Sequence, residues 1–129
     1  MILHRARFSI VIMNKYPYNA GHLMVVPKSH KADLSRLTPS ESVELFHLTR
    51  KSVEILGGAM SADGYNIGMN IGPDAGAGIR DHIHIHIVPR FRGDTNFMAV
   101  ASDSKVQSIS IIDIFDLLKP GFDRLKGRS

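Results

Sequence analysis

Apolar and polar positions alternate with period two along much of this chain. The sharpest case is Asp81-His82-Ile83-His84-Ile85-His86-Ile87-Val88-Pro89-Arg90. Successive side chains of a β-strand point to opposite faces, so His82, His84 and His86 share one face and Ile83, Ile85 and Ile87 the other. A helix would scatter both sets, and β-branched residues favour the strand. The isoleucine face requires a core. Pro89, with no N–H to offer, is expected to end the pairing.

The same pattern places the other elements. Residues 6–13 read as a strand with Phe8, Ile10 and Ile12 on one face and Ser9, Val11 and Met13 on the other. Both faces are largely apolar, which predicts a central position. Asn14 to Gly21 is rich in turn residues, and His22 to Val26 resumes as a strand until Pro27, predicting a hairpin with a long loop. In Thr38-Pro39-Ser40-Glu41, Thr38 caps a helix, Pro39 suits its first position and Glu41 completes a capping box. Leu45, Thr49, Val53 and Leu56, with Val43 and Phe46 adjoining, mark its buried face, and Gly57-Gly58 should stop it. Asp63-Gly64 turns into a strand with Tyr65, Ile67, Met69 and Ile71 towards a core and Asn66, Gly68 and Asn70 on a small polar face. Ser110 to Leu118 reads as a short capped helix broken by Lys119-Pro120-Gly121, its Ile111, Ile114, Phe115 and Leu118 docking on the domain or on a partner subunit. Together these predict an α+β fold: an antiparallel sheet of at least four strands with the residue 38–56 helix on one face.

Composition narrows the class. A length of 129 residues suits one domain with a modest core, expected to span 1–129. The absence of cysteine excludes disulfides and thiolate metal sites and fits a cytoplasmic location. No apolar run approaches the ~18 residues of a membrane span, and Met-Ile-Leu-His-Arg lacks signal-peptide character. A net charge of +4 would draw in polyphosphates, and would equally suit weak nucleic-acid binding. Part of that excess sits at Lys119, Arg124, Lys126 and Arg128, which reads as a solvated end rather than a nucleic-acid patch.

The histidine row admits three readings. It could be a polar strand face without chemistry. It could be a metal site, since imidazole ligates zinc, copper, iron and nickel. It could act at phosphorus: a neutral imidazole attacks a phosphoryl group while its neighbours donate hydrogen bonds to the oxygens or the leaving group. Asn70-Ile71-Gly72-Pro73-Asp74-Ala75-Gly76-Ala77-Gly78 directly upstream favours the third, because glycine-rich turns let backbone N–H groups close on an anion. Asp81 is the single acidic residue beside the row, which weakens a metal site.

His82-Ile-His84-Ile-His86-Ile-Val-Pro-Arg90 resembles the signature of the histidine-triad (HIT) nucleotide-binding proteins. The resemblance takes in Ile12 to Pro27, Asn70 to Gly78 and Gly93-Asp94-Thr95-Asn96-Phe97-Met98, so it covers residues 6–100 and leaves 101–129 as a tail. It is nearest to the branch of fragile-histidine-triad-like enzymes and bacterial diadenosine tetraphosphate phosphorylases. It implies a five-stranded sheet, a two-fold homodimer whose sheets run together, and cleavage of dinucleoside polyphosphates through a nucleotidylated histidine with water or phosphate as acceptor. His84 would be the nucleophile, with a backbone carbonyl, that of His82, holding its other nitrogen's proton. His82 and His86 would stabilise phosphoryl oxygens and leaving group. Asn14 would bind ribose, His22 would support the triad as a fourth member, and Asn70 with the backbone of Ala77 and Gly78 would hold phosphate. No metal cofactor is required, although Mg²⁺ could accompany a polyphosphate substrate.

Two features depart from the family's pattern. Many relatives carry an additional N-terminal segment, often with a cysteine pair, whereas this chain starts close to its first core strand. The eukaryotic fragile-histidine-triad pattern has a glutamine in the loop before the triad, where this chain has Gly76-Ala77-Gly78-Ile79. Hydrolysis of nucleoside phosphoramidates, non-catalytic nucleotide binding and metal binding remain as alternatives.

Overall fold

The alternating segments assemble into one five-stranded antiparallel sheet in the order β1-β2-β3-β5-β4. The structure is a computed structural model describing residues 1–14, 20–72, 82–93 and 110–125. The strands are β1 (Ile2–Arg5), β2 (Ser9–Met13), β3 (Leu23–Pro27), β4 (Gly64–Gly68) and β5 (Ile85–Arg90), with helices α1 (Pro39–Met60) and α2 (Ile111–Asp123). The sequence pattern reads one strand over residues 6–13, whereas β2 begins at Ser9 and β1, which the pattern misses, precedes it. In the structure Ala6 donates its N–H to the Ser9 carbonyl at 2.8 Å, closing a tight hairpin between them. β2 is internal, as both its apolar faces require, and pairs with β3 from Ser9↔Pro27 to Met13↔Leu23. That is the expected hairpin.

Ser9, Val11 and Met13 of β2, all of β3, and Ile83 and Ile87 are buried. Val11, Leu23, Val25 and Ile87 join Leu45 and Leu56 of α1 in the core. The isoleucine face of the histidine segment therefore looks into the core, and the helix covers that side of the sheet.

α1 starts as predicted: the Thr38 hydroxyl accepts the Glu41 N–H and the Glu41 carboxylate accepts the Thr38 N–H. Two expectations for α1 fail. Val43 and Phe46 are 70% and 67% exposed. Val43 lies roughly 200° around the helix from Leu45, and the buried stripe runs instead through Leu45, Leu48, Thr49, Ser52 and Leu56. The helix also runs through Gly57-Gly58 and ends at Ser61, which takes the left-handed conformation (φ 55°). Gly57 serves packing, because a Cβ there would sit 3.0 Å from the Tyr65 hydroxyl, which donates to the Val53 carbonyl.

β4 is shorter than predicted; Tyr65 packs against the core, but the expected core face does not continue beyond it. Ile67 and Ile71 are 50% and 41% exposed. Register puts Ile67 opposite Ile87, yet α1 packs over β2, β3 and β5 while β4 lies beyond them at the sheet edge. The histidine strand also starts later than expected, at Ile85, with 82–84 leading into it. Pro89 ends pairing on one flank only: the ladder to β3 stops at Ile87, whereas towards β4 it continues through Pro89↔Tyr65 to Arg90↔Gly64.

α2 has the expected Ser110 cap, but Lys119-Pro120-Gly121 does not break it. A helical proline costs roughly 3 kcal/mol. Burying Leu118 and Phe122, both fully inaccessible, offsets that. α2 docks on this domain, against β1 and α1. Among the described residues no helix is long and apolar enough to cross a membrane.

Candidate active site

The site grows out of the way β3 and β5 pair. Met24 stands opposite His86, so the alternation of β3 turns His22 to the same face, diagonally across from His86. Gly21 supplies the turn into His22, with φ +83°, and a Cβ there would lie 2.8 Å from Met60 Sδ. Beyond Val25 the β3–β5 ladder gives way. Pro27, at the end of β3, keeps its carbonyl, and the imidazole of His82 takes it: Nε2–H donates at 2.7 Å. The Ile83 N–H donates to the Lys31 carbonyl, also at 2.7 Å. Residues 82–84 are thus held against the segment that follows β3.

His84 is 3% exposed. Its Nδ1 lies 3.1 Å from the His82 carbonyl, the partner expected from the sequence. A carbonyl only accepts, so Nδ1 carries the proton and Nε2 is left bare. The His84 ring meets the His86 ring edge-on, with centroids 4.6 Å apart.

His22 is fully buried, and its Nε2 lies 2.9 Å from His86 Nδ1. The Asn14 amide nitrogen is 3.2 Å from His22 Nδ1 and 3.4 Å from Nε2. An amide nitrogen only donates, and on the shorter contact we assign Nδ1 as the acceptor. His22 then carries its proton on Nε2 and gives it to His86 Nδ1. A neutral His86 is left with Nε2–H as a donor. Electrostatics agree: burial first, then the positive charge of His86 and His84, push His22 down to about 4. Burial, then His84, hold His86 below the usual imidazole range.

Asn14, His22, His82, His84 and His86 therefore form one hydrogen-bonded or ring-packed cluster. Asn70 joins none of the bonds just described. It is exposed, two residues past Gly68, the partner of His86. Ala77 and Gly78, and residues 94–98 of the downstream motif, lie outside the described residues. Arg90 bonds the Asn66 side chain at 2.7 Å. Sequence reasoning missed His30, whose ring stacks on His82 with centroids 5.0 Å apart. The usable signal was its position three residues past Pro27, on the segment leaving β3. Among the described residues no group of three or more His, Asp or Glu is arranged to hold a metal ion. What the cluster offers chemically is one bare imidazole nitrogen beside a neutral imidazole donor.

The sequence model of the HIT domain matches residues 2–93. An AP-4-A phosphorylase of Mycobacterium tuberculosis is 40% identical over 106 residues, 82% of this chain and 54% of that protein. An asymmetrical bis(5'-nucleosyl)-tetraphosphatase of Schizosaccharomyces pombe is 37% identical over 72% of this chain and 50% of its own length. This chain thus spans about half the length of these two curated relatives. Among solved structures, a zinc-bound histidine triad family protein from Mycobacterium smegmatis aligns with TM-score 0.78 at 25% identity, covering 99% of this chain and 87% of that one.

Proposed function

This chain belongs to the HIT-domain family, and on that premise we propose that it cleaves dinucleoside polyphosphates of the diadenosine tetraphosphate kind through a nucleotidylated His84. The named relatives support the substrate class. The observation that carries the chemistry is the bond from His84 Nδ1 to the His82 carbonyl, because it leaves Nε2 bare.

In the first step His84 Nε2 forms a bond to the α-phosphorus, and the P–O bond to the leaving polyphosphate breaks. In the second, water or inorganic phosphate attacks the same phosphorus and the P–N bond breaks, returning His84 to its neutral form. His86 offers Nε2–H to the phosphoryl oxygens, since its Nδ1 is occupied by His22. His82 has its Nε2–H on the Pro27 carbonyl. When neutral it acts through its own backbone carbonyl, which orients His84, and it serves a phosphoryl oxygen or the leaving group through Nδ1 only as an imidazolium. Asn14 holds His22 and contributes to ribose binding; Asn70, with the backbone of Ala77 and Gly78, binds phosphate. Mg²⁺ accompanies the substrate's phosphates.

The proposal includes a single domain over residues 1–129 and a two-fold homodimer joined along β4, an edge strand with Ile67 exposed. It places the enzyme in the cytoplasm, which a chain without cysteine suits. Product analysis with diadenosine tetraphosphate, with and without inorganic phosphate, tests the reaction. AMP plus ATP means hydrolysis, and ADP plus ATP means phosphorolysis. No turnover under either condition overturns the proposal. Light scattering tests the dimer.

A further inference from the structure

Glu41 does more than cap α1. The residue is 5% exposed, and both carboxylate oxygens are occupied. Oε1 accepts the Thr38 N–H at 2.8 Å and the Lys31 ammonium at 2.9 Å. Oε2 accepts the Ser29 hydroxyl. Lys31 also donates to the Arg36 carbonyl at 3.0 Å, which fixes its side chain between the short turn at Leu34–Arg36 and Glu41. A helix cap alone needs none of the Ser29 and Lys31 contacts. Both of those residues lie in the segment leaving β3, which is the segment that holds the start of the triad.

That segment meets the triad three times. The Pro27 carbonyl accepts His82 Nε2–H, the Lys31 carbonyl accepts the Ile83 N–H, and His30 stacks on the His82 ring. Ser29, between Pro27 and Lys31, and Lys31 itself are the residues Glu41 grips. A rigid helix end is thereby linked to the tautomer of His82 and, through the His82 carbonyl, to that of His84.

We infer that Glu41 is a positioning residue for the triad: its carboxylate clamps the 27–31 segment, and that segment sets the place and tautomer of His82. The hydrogen bond from Ser29, then those from Thr38 and Lys31, hold Glu41 at about 2, so the clamp is ionised at neutral pH. The kinetic half of this inference rests on the proposed cleavage reaction; the histidine tautomers do not.

Glu41→Gln is the informative variant. Glutamine keeps the capping box. It loses the charge that holds Lys31 and replaces one acceptor oxygen with a donor. The expected result is a kcat at least tenfold lower with KM changed less than threefold. In ¹⁵N spectra of the free full-length protein, the His82 ring should move from a single Nε2–H tautomer to an exchanging mixture. Ser29→Ala removes one arm and should shift both readouts in the same direction, and it serves if Glu41→Gln does not fold. Thr38→Ala is the control: it weakens the cap and lowers Tm, while kcat and the His82 spectrum stay as in the wild type. A wild-type His82 spectrum in the folded variants overturns the inference, and so does a perturbed spectrum with wild-type kcat. If the wild-type protein does not turn over dinucleoside polyphosphates, the functional proposal fails, and the ring spectra still decide whether Glu41 sets the tautomer.

Discussion

His22 and His86 share a hydrogen bond of 2.9 Å although 64 positions separate them in the chain. One proton serves both rings: it sits on His22 Nε2 and points at His86 Nδ1. The Asn14 amide, nearer to His22 Nδ1 than to Nε2, favours that direction. The chain of donors thus runs from the half-buried Asn14 amide to the Nε2–H of His86, on the face that carries the triad.

Stability should fall in mild acid. His22 titrates at about 4 in the fold against about 6.5 in the unfolded chain. Between those values the unfolded state binds the proton and the native state does not, so folding weakens as pH drops from 6.5 towards 4 and is at full strength above that window. His86 acts in the same direction. The loss attributable to His22 is on the order of 3 kcal/mol at most. Thermal melts between pH 7 and 4.5 should show it, and His22→Gln should flatten the slope. A level wild-type profile would mean that His22 is protonated in the native state.

His84→Ala should reduce kcat by at least about a thousandfold, since the covalent path disappears with its nucleophile. Nucleotide affinity by calorimetry should stay within a few-fold. Wild-type protein quenched at alkaline pH should carry a nucleotidyl adduct by mass spectrometry, absent from the variant. Retention of more than a few per cent of activity would rule out covalent catalysis by His84.

Asn14→Leu separates two roles for one residue. If Asn14 works through His22, kcat should drop about tenfold, or roughly 1.4 kcal/mol, and the His22 ring should populate both tautomers by NMR. A higher KM with unchanged kcat would confine Asn14 to the substrate.

Gly121→Ala should destabilise the fold. Its Cβ would stand 2.8 Å from Ile55 Cγ2, a stiff β-branched methyl where α2 crosses α1. Overpacking costs about 1–3 kcal/mol, and alanine's helix propensity returns about 1, so a net loss of up to about 2 is expected. Urea denaturation of Gly121→Ala, Ile55→Ala and the double variant checks the contact. Strict additivity would show that the two residues do not meet.

Local signals read well in this chain. Thr38 to Glu41 announces a helix start because its capping box is closed by residues three apart. The isoleucines of 83–87 announce a core because alternation is local. The misreadings at Gly57, Pro120 and Ile67 share one cause. Each depends on what a distant element does there: Tyr65 filling the space beside Gly57, Phe122 pulling α2 inward past Pro120, and α1 meeting Tyr65 of β4 while leaving Ile67 half exposed. In the site, the His84 tautomer was legible because its partner is two residues away. The Pro27 carbonyl on His82, the His30 stack and the Glu41 clamp were not, since 55 positions separate Pro27 from His82 and no sequence pattern pairs them.

The strand order has a kinetic corollary. β5 is made last of the five strands yet lies between β3 and β4. Until it arrives, those two strands flank a slot two inter-strand spacings wide, roughly 9.5 Å, with unpaired backbone groups on both sides. Closing that slot requires contacts distant in sequence, which are the slow ones to form. A partly folded chain that has already built β1, β2, β3 and α1 therefore holds no triad. During refolding, activity should return with the final zipping of the sheet rather than with early helix formation.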